Sequence, residues 1–194
     1  LRLRLVPQLV AIAAVATIWG HGYLRLAAAP SYESTGIVVR LVQANIPQAD
    51  KWRADRREPN LRRFIALSKG DGGPRPRVIV WPETAVPFFL SREIGRRHTI
   101  AQLVEPDGFV VIGAPRISPT GASQLQIWNS VVAIDHRGAI AATYDKAHLV
   151  PFGEYLPLRG IFSRLGIDKL VYGPVDYSAG PGPRTLRLGS LPPV

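Results

Sequence analysis

The chain has 194 residues, 46% of them apolar, which is enough for one membrane segment plus one domain of ordinary size and too apolar for wholesale disorder. No cysteine occurs, which excludes disulfides, thiolate zinc sites and a cysteine nucleophile within these residues, and the four histidines at 21, 98, 136 and 148 show no paired spacing, so neither a metal nor another cofactor is expected. The formal charge of +10 suits anionic lipid headgroups or nucleic acid, but no RNP-type, zinc-finger or helix-turn-helix pattern accompanies it, and nucleic acid is not an expected partner.

Between Arg4 and Arg25 runs an uncharged stretch, Leu5 to Leu24, whose length as a helix is about 30 Å, the thickness of a bilayer's hydrocarbon core. Trp19 and Tyr23 lie towards one end, as interfacial aromatics do, and Arg2 and Arg4 lie at the other, which orients the start of the chain to the cytoplasm and the remainder outward. Pro7 falls in the first turn, where its missing N–H costs little. A signal peptide ending near Leu26-Ala27-Ala28-Ala29 and a buried core helix are the competing readings of this run. Residues 1–29 are thus read as a membrane helix with its flanks, 30–36 as a polar linker, and 37–194 as the main domain.

Ile37 to Ile46 is β-branched and apolar with almost no alternation, which predicts a strand buried on both faces. Asp55 to Lys69 carries Leu61, Phe64, Ile65 and Leu67 at helical spacing and ends in a Gly/Pro-rich turn. Arg77 to Trp81 is a second buried strand that stops at Pro82-Glu83. A second helix is predicted over Ser91 to Val104 with Ser91 as its N-cap. Gly108 to Ala114 is a third strand, Ile127 to Ile134 a fourth, and Asp135 to Gly138 a turn into a fifth over Ala139 to Tyr144. Beyond Leu149 Pro and Gly recur every few residues and regular structure thins. The order β-α-β-α-β-β-β predicts an α/β domain.

Two side chains stand where such domains build sites, at the C-terminal ends of strands. Glu83 follows the apolar run Val78-Ile79-Val80-Trp81, where partial desolvation suits a carboxylate to general-base work; a helix cap or a surface carboxylate is the plainer reading. Lys146 follows the fifth strand within Tyr144-Asp145-Lys146-Ala147-His148-Leu149, where an ammonium among apolar neighbours could stabilise an oxyanion, or be an ordinary snorkelling lysine.

The segments Trp81-Pro82-Glu83-Thr84-Ala85 and Tyr144 to Leu149 resemble the Glu and Lys motifs of the nitrilase (carbon–nitrogen hydrolase) superfamily. Val42 to Gln48 followed by Lys51-Trp52, and the more specific run Val150-Pro151-Phe152-Gly153-Glu154-Tyr155-Leu156-Pro157, are similar to its apolipoprotein N-acyltransferase branch. The resemblance implies a partial nitrilase-type α-β-β-α sandwich preceded by a transmembrane helix. It implies Glu83 and Lys146 as members of a Glu-Lys-Cys triad, Glu154 as a supporting carboxylate, and Trp52 and Tyr155 at the substrate site. It implies a phospholipid acyl donor, an apolipoprotein acceptor and a catalytic domain on the periplasmic face of the bacterial inner membrane.

The triad's cysteine has no counterpart here. Leu1 in place of Met and the ending Leu191-Pro192-Pro193-Val194 read as cuts in a longer chain, with Tyr177 to Leu188 approaching the strand that would carry the thiol. Without that thiolate the polypeptide is expected to be inert, since Ser178 and Ser190 lie in Gly/Pro-rich loops with no evident base. A nitrilase-type amidase acting on a small amide, and a non-catalytic membrane-anchored binding domain, are the alternative functions.

Overall fold

A computed structural model describes residues 5–29, 35–70, 72–73, 75–119, 121–122, 124–157 and 176–193. Most of the predicted linker at 30–36 lies outside the described residues. The chain divides into two compact units, Leu1–Gly36 and Ile37–Val194.

The first unit is built on helix α1, Val6–Ala27, with Pro7 in its first turn and none of its residues buried. Trp19 and Tyr23, one turn apart, stack with ring centroids 5.9 Å apart, and the Thr17 hydroxyl donates to the Ala13 carbonyl at 2.8 Å, so this polar group is satisfied within the helix. Among the described residues it is the one helix long and apolar enough to cross a membrane.

The second unit follows the predicted order. Strand β1 (Val39–Leu41) is followed by the short helix α2 (Gln48–Lys51), a 3₁₀ turn (Ala54–Arg56) and α3 (Arg57–Lys69). Strand β2 (Val78–Val80), a second 3₁₀ turn (Leu90–Arg92) and α4 (Ile94–Ala101) lead to β3 (Phe109–Ile117), β4 (Ile127–Asp135) and β5 (Ile140–Asp145). The sheet order is β1-β2-β3-β4-β5; the first three strands are parallel, joined through helices, and the last two are antiparallel, joined by the Asp135–Gly138 turn. The connection length decides this: a two-to-four-residue turn returns the chain antiparallel, whereas a crossover of a dozen residues or more allows parallel pairing.

Strand periodicity assigns the two faces. Ile79, Val110, Ile112, Val132 and Ile134 are buried in one core with Leu61 and Phe64 of α3 and Ile100 of α4. On the opposite face Phe109 and Ala133 pack against Leu188 and Leu191 of the final described segment.

Two predictions need correction. The first strand is not buried on both faces: Val39 and Leu41 are 51% and 77% exposed, because β1 is an edge strand whose outer face is bare, and burial resumes only at Val42 and Ala44. Ser91 does not cap a helix. It sits in the 3₁₀ turn anchored by the buried Leu90, and α4 starts at Ile94 with Glu93 at its N-cap and no side-chain cap. Ile94, the first residue of α4, is consequently exposed.

Candidate active site

Glu83 is delivered by a tight passage of backbone. Beyond the last residue of β2, Trp81 N–H donates to the Val111 carbonyl and Ala85 N–H to the Gly113 carbonyl, both at 2.8 Å, so the chain stays hydrogen-bonded to β3 on either side of Pro82-Glu83-Thr84. The buried Trp81 ring stacks on Phe64, with centroids 4.9 Å apart, and its indole N–H donates to Ser68 Oγ at 2.9 Å. Thr84 takes a positive φ of 51°, which turns the chain while leaving the Glu83 side chain 61% exposed.

The turn fits only because β3 has no side chain beneath it. A Cβ on Gly113 would lie 2.4 Å from the Pro82 carbonyl oxygen, 2.6 Å from Glu83 Cα and 2.8 Å from Thr84 N, and none of these backbone atoms can rotate away. Gly113→Ala should destabilise the fold by about 1–3 kcal/mol through overpacking. In the full-length protein it should also lower kcat by about 10²-fold, because it displaces the residue that carries the carboxylate. Thermal melting and turnover of the same full-length preparation check both.

Lys146 arrives from β5. Its N–H donates to the Asn129 carbonyl at 2.8 Å, which extends the β4–β5 ladder by one rung. Its ammonium lies 3.1 Å from Glu83 Oε1 and 3.1 Å from Glu154 Oε1. Glu154 is held by a loop closed on itself. Glu154 N–H donates to the Val150 carbonyl and Val150 N–H returns a bond to Glu154 Oε2, each at 2.8 Å, while Phe152 N–H donates to the Tyr155 carbonyl at 2.8 Å. Phe152 adopts a positive φ of 62° within this loop.

A fourth residue, which the sequence did not single out, completes the cluster. The Asn129 amide on β4 donates to Glu83 Oε1 at 2.5 Å and to Glu154 Oε1 at 2.7 Å, so one buried NH₂ bridges both carboxylates. The available signal was a lone amide inside the strand Ile127-Trp128-Asn129-Ser130-Val131-Val132, where a buried polar group requires partners.

The charges sort the roles. Burial works against the Lys146 ammonium, but its hydrogen bonds to Glu154 and Glu83 outweigh it and raise the pKa, so the lysine stays charged. Burial likewise opposes ionisation of Glu154, whose side chain is 12% exposed, yet bonds from Asn129, the Val150 N–H and Lys146 hold its carboxyl below the ordinary range. Glu154 is therefore a fixed anion, and Glu83 is the more solvent-accessible of the two carboxylates. Tyr177, pushed up to about 12 by burial and then by the charges of Glu154 and Glu83, stays a neutral phenol.

A cavity of ≈ 230 Å³ opens beside this cluster; Val80, Val111 and Val131 form an apolar floor, with Glu83, Asn129 and Lys146 as its polar lining. A smaller one of ≈ 100 Å³ lies on the other side of Glu83, against Asn45, Lys51 and Thr84. Neither is lined by Trp52 or Tyr155. Trp52 closes α2 half-buried, with its indole N–H buried and without a hydrogen-bond partner among the described residues, and Tyr155 lies half-buried in the Glu154 loop.

The carbon–nitrogen hydrolase family model matches residues 38–189, a span that includes Glu83, Asn129, Lys146 and Glu154. The chain belongs to the carbon–nitrogen hydrolase family. Among curated relatives, the apolipoprotein N-acyltransferase of Rhodopseudomonas palustris is 32% identical over 95% of this chain and 36% of its own length. That of Rhizobium etli is 41% identical over 86% of this chain and 32% of its own length. The chain thus spans about a third of the curated relatives it matches. Among solved structures, that of an N-terminal amidase with an Asn-Glu-Ala peptide aligns with TM-score 0.44 and 14% identity, covering 58% of this chain and 28% of the amidase.

Proposed function

We propose that this chain carries the base and the oxyanion-binding lysine of an apolipoprotein N-acyltransferase. The observation that supports the reading most directly is the Lys146 ammonium held 3.1 Å from each of two carboxylates over an apolar-floored cavity. The nucleophile in this reading is a cysteine outside these 194 residues, and the chain without it does not turn over.

Glu83 removes the thiol proton, and the thiolate adds to an ester carbonyl of a phospholipid. Lys146 and backbone N–H groups carry the negative charge of the tetrahedral oxygen. Collapse expels the lysophospholipid alkoxide, which takes the proton back from Glu83, and leaves a thioester. The α-amine of an apolipoprotein's diacylglyceryl cysteine then attacks the thioester, Glu83 accepts the amine proton, and the amide forms as the thiolate leaves. Glu154 and Asn129 touch Glu83 and Lys146 and keep the pair in register throughout.

Both substrates carry acyl chains that sit in the bilayer, which gives α1 its purpose: it tethers the domain to the inner membrane, with the domain on the periplasmic side. Trp52 and Tyr155 belong to the lipid-binding surroundings in this reading.

The test uses the full-length protein in detergent with a phospholipid donor and a diacylglyceryl apolipoprotein. Mass spectrometry should find one added acyl chain on the terminal amine. A terminal amine left free under conditions that hydrolyse a small amide would overturn the reading and favour an amidase.

A further inference from the structure

Asp145, the residue preceding Lys146, is gripped from two strands. Arg116 on β3 donates through Nε to Oδ1 at 2.8 Å and through Nη2 to Oδ2 at 2.7 Å, a bidentate fork. Ser130 on β4 donates its hydroxyl to Oδ1 at 2.6 Å. The guanidinium carbon lies 3.7 Å from the centroid of the Trp128 ring. The Arg116 and Asp145 side chains are 27% and 10% exposed, so this pair is screened far less than a surface ion pair.

The register shows what the grip supports. Arg116 pairs with Trp128, and Ser130 with Asp145. With a period of two, these four side chains share the helix-covered face with Val132 and Ile134. Asn129 and Lys146, one residue along, project from the opposite face, where Glu83 and Glu154 meet them. The peptide between the two sides is pinned as well: Lys146 N–H donates to the Asn129 carbonyl at 2.8 Å, and Gly180 N–H donates to the Lys146 carbonyl at 2.9 Å. A Cβ on Gly180 would stand 2.1 Å from the Asp145 carbonyl oxygen, so the segment through Gly180 presses directly on the same peptide.

We propose that Arg116 is a positioning residue: its fork on Asp145, steadied by Trp128, fixes the backbone from which Lys146 projects and so keeps the ammonium shared between Glu83 and Glu154. A lysine side chain has four rotatable bonds, and its root must be fixed for its tip to be shared between two acceptors. A planar fork that stacks on indole meets that need in a way a second lysine would not. Asp145 is held ionised despite its burial, which works against charge, because Arg116 and Ser130 outweigh that cost.

The catalytic consequence rests on the acyltransferase reading, so the experiment has an arm that does not. In the full-length protein, Arg116→Ala and Arg116→Lys are labelled with trace acetic anhydride at fixed pH, and acetylation of Lys146 is read by peptide mass spectrometry against Lys51 and Lys69. A loosened ammonium should react faster in Arg116→Ala by about tenfold, the change in free-amine fraction made by one pKa unit. The reference lysines should not change. In the N-acylation assay kcat should fall by about 10²-fold with little change in KM, as a misplacement of about 1 Å does.

Arg116→Lys, which keeps the charge but not the fork, should lie between. If Arg116→Ala does not fold, Arg116→Lys carries both readouts. Parent-like labelling of Lys146 in a folded variant, or a loss of melting temperature with kcat intact, overturns the proposal. A parent protein that labels as expected but transfers no acyl group sinks the acyltransferase reading and leaves the clamp standing on the labelling result.

Discussion

Glu83→Gln in the full-length protein is expected to lower kcat by about 10²–10⁴-fold, the range that one positioned general base supplies. The substitution is nearly isosteric, and the amide oxygen can still accept from Lys146 Nζ and Asn129 Nδ2, which now meet Glu83 Oε1 at 3.1 Å and 2.5 Å. Only the capacity to take up a proton is lost. The side chain is 61% exposed, so little burial is at stake and the melting temperature should stay close to that of the parent. Turnover measured beside a melting curve separates the two effects. A Glu83→Gln protein that keeps parental kcat would remove Glu83 from the chemistry altogether.

Lys146→Met has a different signature because it removes a charge that two others share. The Oε1 atoms of Glu83 and Glu154 would then both meet the Asn129 amide without the Lys146 charge beside them, while Glu154 Oε2 keeps the Val150 N–H. Loss of a donor aimed at a developing oxyanion should lower kcat by about 10²–10³-fold. Stability should fall by about 1–3 kcal/mol, less than for a fully buried pair because Glu83 is largely exposed.

The stability loss should depend on pH with a definite sign. In the parent, Glu154 has a lowered folded-state pKa: burial opposes ionisation but is outweighed by Asn129, the Val150 N–H and Lys146. A depressed carboxyl contributes stability that is complete above its unfolded value and is lost as pH falls through its folded value. Lys146→Met forfeits much of that contribution. The gap in melting temperature between parent and variant should therefore be widest at neutral pH and narrow on acidification. A gap that widens towards acid would contradict the assignment of Glu154 as a fixed anion.

The local sequence was sufficient for the elements that lead into the site. The apolar run Val78-Ile79-Val80-Trp81 stops at Pro82, and a buried strand that stops there must present Glu83 at its C-terminal end. The Asp135–Gly138 turn likewise determined that β4 and β5 pair antiparallel, because the chain between them is too short for any other return. The 144–157 block resembles a family motif that carries a lysine and a glutamate at the positions of Lys146 and Glu154. Periodicity, punctuation and short connections are properties of neighbouring residues, and neighbouring residues are what a sequence displays.

What required the tertiary structure was every relation between distant segments. Asn129 looked like one polar residue in an apolar strand until the β4–β5 register set it beside Lys146 and the Pro82–Thr84 turn brought Glu83 onto its amide. Arg116 was one arginine among many until the β3–β4 register placed its fork on Asp145. Val39 and Leu41 have the composition of core residues and are exposed because no strand lies beyond β1 among the described residues and nothing there covers its outer face. Ser91 has the chemistry of a cap, but burial of Leu90 moved the start of α4 past it. An ammonium shared equally between carboxylates 63 and 8 residues away is a product of sheet register and loop closure, which long-range burial determines and local propensity does not encode.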